Sequence, residues 1–256
     1  FMWCACLPWP RPGSVKPENL DADANNITDT VPQTIPTYKV ALIGDSGTGK
    51  TSITTRYSFN SFSATYAKTN HVCVASKIPA ASEGELHRLE IWDVPGTRVA
   101  GALEQYMQEL DAVVVVFDVT NKASFDSVVP WYREVLRLFH QNSVSEGHGC
   151  SSTEDLLLQG QSPLPPVPVV LFANKVDESV RQVSEDETIR LAQSLDLAGW
   201  AFMSAAQNLE VRTGFRTVVR ALTRLRANPQ PPTKHESSDA TLVSFINQGD
   251  AAAAKA

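Results

Sequence analysis

Val40-Ala41-Leu42-Ile43-Gly44-Asp45-Ser46-Gly47-Thr48-Gly49-Lys50-Thr51 is the stretch that decides the fold. Its first four residues make an apolar run suited to a short buried strand, and the next eight satisfy G-x-x-x-x-G-K-[ST] at every required position. Strand, glycine loop and helix in that order form a cradle for phosphate. Glycines let backbone N–H groups turn inward, and a helix opening near Lys50 aims its partial positive end at the same charge. Asp45, Ser46, Gly47, Thr48 and Gly49 are expected around the phosphates, with Ser52 just behind them. Lys50 is expected to reach the β- and γ-phosphates, and the Thr51 hydroxyl to take one position on an octahedral Mg²⁺. This word alone leaves ATPases, kinases and chance glycine loops open.

Two further words follow downstream. Asp93-Val94-Pro95-Gly96 succeeds the apolar run Leu89-Glu90-Ile91-Trp92, so the Asp93 carboxylate is expected at a strand end, holding Mg²⁺ directly or through water. Gly96 would offer a γ-phosphate an N–H with no side chain in the way. D-x-x-G is by itself a common turn, and its weight comes from its place in the order. Asn174-Lys175-Val176-Asp177 closes the β-rich run Val167-Pro168-Val169-Val170-Leu171-Phe172. An ionised Asp177 accepts two hydrogen bonds, and guanine presents an N1–H beside a 2-amino group where adenine has no such pair. A buried carboxylate facing adenine is left unpaired, and sites built this way reject the wrong partner by about 10⁴-fold or more. Asn174, Lys175 and Asp177 are therefore expected at a guanine base, with GTP or GDP and Mg²⁺ as ligands. A solvated turn before a helix is the plainer alternative for N-K-x-D.

The chain resembles the small GTPases of the Ras superfamily, and within them the Rab family. A closer likeness to the divergent Rab branch numbered twenty-eight is carried by Gly49-Lys50-Thr51-Ser52-Ile53-Thr54-Thr55, Ile91-Trp92-Asp93, Val99-Ala100-Gly101, Phe117-Asp118-Val119-Thr120-Asn121, Ser124-Phe125 and Trp131-Tyr132. The similarity runs over residues 38–225, with weaker echoes in residues 239–248. It implies that Thr69, eighteen positions after Thr51, is the first-switch threonine that meets Mg²⁺ and the γ-phosphate only in the triphosphate state. It implies an aromatic edge packed on the base at Phe62, a position that equally suits a buried apolar side chain. Ser204-Ala205-Ala206 corresponds to the family's last base-contacting word, usually Ser-Ala-Lys, in which the middle backbone N–H meets the guanine carbonyl. The missing lysine weakens packing over the base and leaves the contact expected of Ala205 intact.

Position 97 departs from the family. A glutamine normally follows D-x-x-G and orients the attacking water, whereas this chain has Thr97. Threonine is shorter and cannot span the same distance, so slow intrinsic hydrolysis is expected. Pro95 fixes φ and removes one backbone donor inside the second switch. Lys50, Thr69, Gly96 and Thr97 make up the expected catalytic set; Thr51, Thr69 and Asp93 make up the expected metal set. In the triphosphate state Thr69 and Gly96 are drawn to the γ-phosphate and order two loops for effectors to read. Trp92 and Tyr106 are candidate aromatic pieces of that surface, and Trp92 equally suits the core. An activating protein that supplies an arginine would contribute about 10³ to 10⁵ in rate.

Composition agrees with this picture. The chain has 256 residues, 43% of them apolar, and a formal net charge of −6, which suits one domain with appendages. An acidic balance and the absence of a Lys/Arg cluster disfavour nucleic acid as a partner. No apolar run approaches the roughly 18 residues of a transmembrane helix. Cys4, Cys6, Cys73 and Cys150 show neither disulfide nor metal spacing, which points to a reducing, cytoplasmic setting. Cys4 and Cys6 are compatible with acylation, although an untethered leader without a secretory signal is the plainer expectation. Family members usually carry prenylated cysteines at the C-terminus. No cysteine follows Cys150 here, so prenylation at the end of this chain is not expected.

The sequence organises into a disordered leader over residues 1–36, a G domain over 37–228 with a flexible insertion at 141–166, and a flexible tail over 229–256. Strands are expected near 38–43, 72–78, 86–92, 112–118, 167–173 and 200–203. The implied fold is the α/β P-loop G domain: six strands, mostly parallel, one antiparallel edge strand from the second run, and helices on both faces. The ligand then lies at the carboxyl ends of the strands. Ser184-Glu185-Asp186-Glu187 reads as a capping box opening a helix to about Leu197. Val211, Phe215, Val218, Val219 and Leu222 mark the inner face of the last helix. Pro130 falls inside a helix expected over 124–140, where it marks either a kink or the true start. Leu156-Leu157-Leu158 in the insertion reads as a partner motif or a small apolar patch.

The function expected on this reading is a guanine-nucleotide switch in vesicular or ciliary traffic, partnered by effectors, exchange factors and GTPase-activating proteins. It is expected to be monomeric and cytoplasmic, with peripheral association with endosomal or ciliary membranes left open. A nucleotide-held binding module with little turnover is the alternative. A P-loop ATPase or kinase is disfavoured by Asp177.

Overall fold

Ala112-Val113-Val114-Val115-Val116-Phe117-Asp118 is buried at every position, as a central parallel strand covered on both faces must be. Val113, Val115 and Phe117 enter one core, while Ala112, Val114 and Val116 enter the other. The computed structural model describes residues 35–79, 86–97, 104, 109–144 and 165–227, except the side chains of residues 140–144. Around that strand, β4 (Ala112–Asp118), lie β1 (Thr37–Ile43), β2 (Cys73–Lys77), β3 (Arg88–Asp93), β5 (Val169–Asn174) and β6 (Gly199–Phe202). Their order is β2-β3-β1-β4-β5-β6. Every neighbouring pair is parallel except β2 with β3. This is the expected sheet, with β2 as its antiparallel edge.

The helices are α1 (Lys50–Phe59), α2 (Lys122–Asp126), α3 (Val128–Val144), α4 (Glu185–Ser194) and α5 (Val211–Ala227). Ile53 and Tyr57 of α1 meet Phe215 and Val218 of α5 in one core; α2, α3 and α4 cover the other face through Phe125, Trp131, Leu136 and Leu191. Phe215 stacks on Tyr57 at 3.9 Å between centroids and meets Phe172 edge-on at 5.7 Å. The expected inner face of α5 is buried apart from Val219, which is half-buried against the core. Gly214 joins that face because a Cβ there would press into Met203 and Phe172.

One open alternative closes and two local expectations change. Pro130 marks a start: α2 ends at Asp126, α3 begins at Val128, and the proline sits in the first turn, where its missing N–H costs no helical bond. Helix α3 also runs on to Val144, into the segment expected to be a flexible insertion. Helix α4 has its capping box but stops at Ser194, three residues before Leu197. Asp196 turns left-handed at φ 49°. The Leu197 N–H then bonds Ala192 O at 2.9 Å and that of Asp196 bonds Gln193 O at 3.1 Å, a Schellman stop.

The expectation of no cationic cluster also changes. Arg212, Arg216, Arg220 and Arg224 are all exposed and recur every fourth residue on α5, which contains no acidic residue. The helical repeat gathers them into a ridge that the linear sequence disperses. Among the described residues no helix is long and apolar enough to cross a membrane. The leader to residue 34, residues 145–164 with Leu156-Leu157-Leu158, residues 228–256, Tyr106, Val99-Ala100-Gly101 and Cys4, Cys6 and Cys150 lie outside the described residues.

Candidate nucleotide site

The glycine loop leaves β1 at its carboxyl end and enters α1, with Gly44, Gly47 and Gly49 all at positive φ. Gly49 serves two needs: its φ is 94°, and a Cβ would collide with the Asn174 side-chain amide. Inside the loop the Thr48 hydroxyl donates to Asp45 O at 2.9 Å. The Asp45 carboxylate faces away from the cleft and accepts from Trp131 Nε1 of α3 at 2.8 Å. Lys50 folds its amine back over the loop, donating to Gly44 O at 2.7 Å and Asp45 O at 2.8 Å. Burial pushes that amine down to about 8, against the Asp93 and Asp45 carboxylates that raise it.

The expected metal residues converge. The Thr51 hydroxyl donates to Asp93 Oδ2 at 2.5 Å and lies 2.9 Å from the Thr69 hydroxyl. Asp93 is 1% exposed and its Oδ1 has no hydrogen-bond partner. Burial raises its pKa, opposed by the Thr51 hydrogen bond and by Lys50. A buried carboxylate oxygen without a donor, beside two hydroxyls, is an oxygen donor set that fits Mg²⁺. Bound there, Mg²⁺ would neutralise phosphate charge; Thr51, Thr69 and Asp93 are the residues that would hold it. Among the described residues no three His, Cys, Asp or Glu form a metal cluster, so hydroxyls, water and phosphate would complete the shell. Gly96 packs against the loop so tightly that a Cβ would meet Ser46 N. Thr97 beside it is exposed and does not line the cleft.

At the other end stands Asn174, 2% exposed. Its Nδ2 donates to Thr48 O at 2.9 Å, and its Oδ1 accepts from Ala205 N at 3.2 Å. Asn174 therefore ties the phosphate loop to the Ser204-Ala205-Ala206 loop, and the Ala205 N–H already has a partner. Lys175, left-handed at φ 66°, pairs with Asp118 at 2.5 Å. Asp177 lines the cleft with Oδ1 buried and unpartnered. Ser204 lies outside the lining and accepts from Gln207 N at 2.9 Å within its own loop.

These elements enclose a cleft of about 610 Å³ at the carboxyl ends of the strands. Ser46, Gly47, Gly49, Lys50, Thr51 and Ser52 line it, as do Thr69, Gly96, Lys175, Asp177 and Ala206. Phe62 lines it too and is 37% exposed, so it is not a core side chain. Trp92 is half-buried against the core, with Lys39 Nζ 4.1 Å above its ring. Sequence reading missed Tyr66 and Glu178 in the lining, and Arg56 and Trp131 behind it. No motif marks them: Tyr66 and Glu178 stand between or beside motif residues at positions where no residue type is required, and Arg56 and Trp131 act on partners 149 and 86 residues away.

A glycine loop between β1 and α1, a buried carboxylate ending β3 and a second carboxylate beyond β5 define a P-loop nucleotide-binding domain of the doubly wound α/β class. Residues 39–147 match the Ras family model. Ras-related protein Rab-7L1 of Rattus norvegicus is 31% identical over 186 residues, covering 72% of this chain and 81% of the relative. The Homo sapiens protein of that name is 29% identical over 214 residues, covering 83% and 90%. Ras-related protein Rab-32A of Dictyostelium discoideum is 30% identical over 190 residues, covering 71% and 76%. The chain belongs to the Ras superfamily, among its Rab-like small GTPases. These relatives carry the family and not the branch numbered twenty-eight. The family makes the chain a GTP-binding switch, of a kind that binds GTP and GDP, typically with Mg²⁺.

Proposed function

We propose that this switch hydrolyses GTP slowly and signals by GTP-dependent effector binding in vesicular or ciliary membrane traffic. The observation that supports slow turnover is Thr97: exposed, next to Gly96, and outside the cleft. A side chain of that length does not reach a water at the γ-phosphate, the work a glutamine would do there. Lys50 and the backbone of residues 45–49 would hold the phosphates, Thr51, Thr69 and Asp93 the Mg²⁺, and Asp177 and Phe62 the base; the Ala205 N–H would meet the base only by sharing or leaving its bond to Asn174. The G domain would span residues 37–228, between a leader and a tail. The protein would act as a monomer in the cytoplasm and peripherally on endosomal or ciliary membranes, with exchange factors and activating proteins setting the lifetime of its active state.

A nucleotide-held binding module with little turnover is the second reading, favoured by Pro95 and Thr97 together. Chromatography of the nucleotide released on denaturing freshly purified protein is the first test: GDP at one equivalent indicates a competent cycling switch and makes Thr97 less damaging, whereas retained GTP supports a hydrolysis-deficient switch or the module. Whether effector binding depends on the nucleotide then separates those two. Thr97→Gln is expected to raise single-turnover hydrolysis several-fold, about 1 kcal/mol in barrier; an unchanged rate would remove the role assigned to position 97.

A further inference from the structure

Arg56 is not among the residues that line the cleft, yet three pieces of its base end depend on it. Its Nε donates to Ala205 O at 2.8 Å and its Nη2 to Ala206 O at 2.9 Å. Nη1 donates to Asn60 O at 3.1 Å, at the left-handed residue that ends α1. The guanidinium carbon stands 5.6 Å from the centre of the Phe62 ring. Ala205 and Ala206 lie 149 and 150 residues away in sequence, so this one side chain joins the first switch segment to the Ser204-Ala205-Ala206 loop. Asn208 Nδ2 adds a parallel tie to Asn60 Oδ1 at 3.2 Å. Arginine alone has a rigid planar fork that can serve three carbonyls and still present a face to an aromatic ring. Position 206 carries alanine, and the cation bonded to this loop is Arg56 of α1.

We propose that Arg56 is a positioning residue for the base end of the site. By holding Ala205 and Ala206 on one side and Phe62 on the other, it sets how long a guanine nucleotide is retained. It also couples movement of the first switch to the grip on the base. The inference rests on the guanine-nucleotide reading above. Its partners, Asn60, Phe62, Ala205 and Ala206, include none of the residues assigned to phosphate or Mg²⁺.

The test uses the full chain loaded with a fluorescent GDP and displaced by excess GDP with Mg²⁺ present. Loss of the three charge-assisted hydrogen bonds, two of them to the Ser204-Ala205-Ala206 loop, predicts release from R56A at least about tenfold faster than wild type. R56K, with one nitrogen in place of the fork, is expected in between. Single-turnover GTP hydrolysis in R56A should stay within about twofold, a separation that general loosening of the fold would not give. F62A should also release faster, and R56A/F62A less than the product of the two single effects, since the guanidinium works partly through that ring. R56A release within twofold of wild type, or single effects that simply multiply, overturns the proposal. If R56A does not fold, R56K decides: unchanged release overturns it. A wild type that retains no guanine nucleotide overturns the underlying reading instead, and shows itself before any substitution is made.

Discussion

Asn174→Ala removes the one side chain that bonds both the phosphate loop and the base loop. The substitution leaves Thr48 C=O and Ala205 N–H without their partners at 2.9 and 3.2 Å. Both residues are nearly sealed from water, at 1% and 2% exposure. An orphaned buried polar group costs about 1–3 kcal/mol, so the two together should cost about 2–6 kcal/mol. Against an overall stability of about 5–15 kcal/mol that is a large fraction. Asn174→Asp sharpens the point: one oxygen still accepts from Ala205 N–H, but the other now faces Thr48 O with no proton between them. Its loss should approach that of the alanine variant despite equal volume. Urea unfolding followed by circular dichroism, at one fixed GDP concentration because bound ligand adds its own stability, measures both. A loss under about 1 kcal/mol for Asn174→Ala, or wild-type stability for Asn174→Asp, would refute the idea that Asn174 is the tie between the two loops.

Asp177→Ala should cut the preference for GDP over ADP from about 10⁴ to under about 10², if the unpartnered Oδ1 is what rejects adenine; competition binding reads this, and an unchanged ratio counts against a base role. The Glu187 pKa is lowered from 4.5 chiefly by the Ser184 backbone and hydroxyl bonds of the capping box. A depressed acid stabilises the fold above its unfolded pKa and loses that contribution as pH falls below it. Acid unfolding of Glu187→Gln should therefore be flatter below about pH 4.5; matching curves would remove the box from the acid response. Phe215→Ala empties a site stacked on Tyr57 and edge-on to Phe172 and should cost about 3–5 kcal/mol by the same urea assay.

What the sequence makes legible is what local chemistry fixes. The glycine loop, the Asp93 turn and the Asn174-Lys175-Val176-Asp177 word each need only a few adjacent residues. Strand patterning is equally local, and β1 carries it as the apolar run Val40–Ile43 and β4 as Ala112–Phe117. Arg56 and Trp131 stay hidden because their partners, Ala205 and Asp45, lie 149 and 86 residues away. The stop of α4 is hidden for another reason: nothing in a Leu-Asp-Leu run says that Asp196 will turn left-handed. The α5 arginines were countable, but only the 3.6-residue turn brings them side by side.

The contact between Thr69, Thr51 and Asp93 has a direction. Thr51 carries one hydroxyl proton, and an ionised Asp93 oxygen can only accept it. The Thr69 hydroxyl must then spend its own proton on Thr51, so the three groups line up as donor, relay and acceptor pointing into the sheet. Each bond polarises the next, and the sense of the row is set by a carboxylate that nothing else satisfies on its second oxygen. Thr69 comes from the segment between α1 and β2, and Asp93 from the end of β3. Departure of that segment would remove only the outermost donor of the row, and Thr51 would stay joined to Asp93, keeping the start of α1 latched to the sheet.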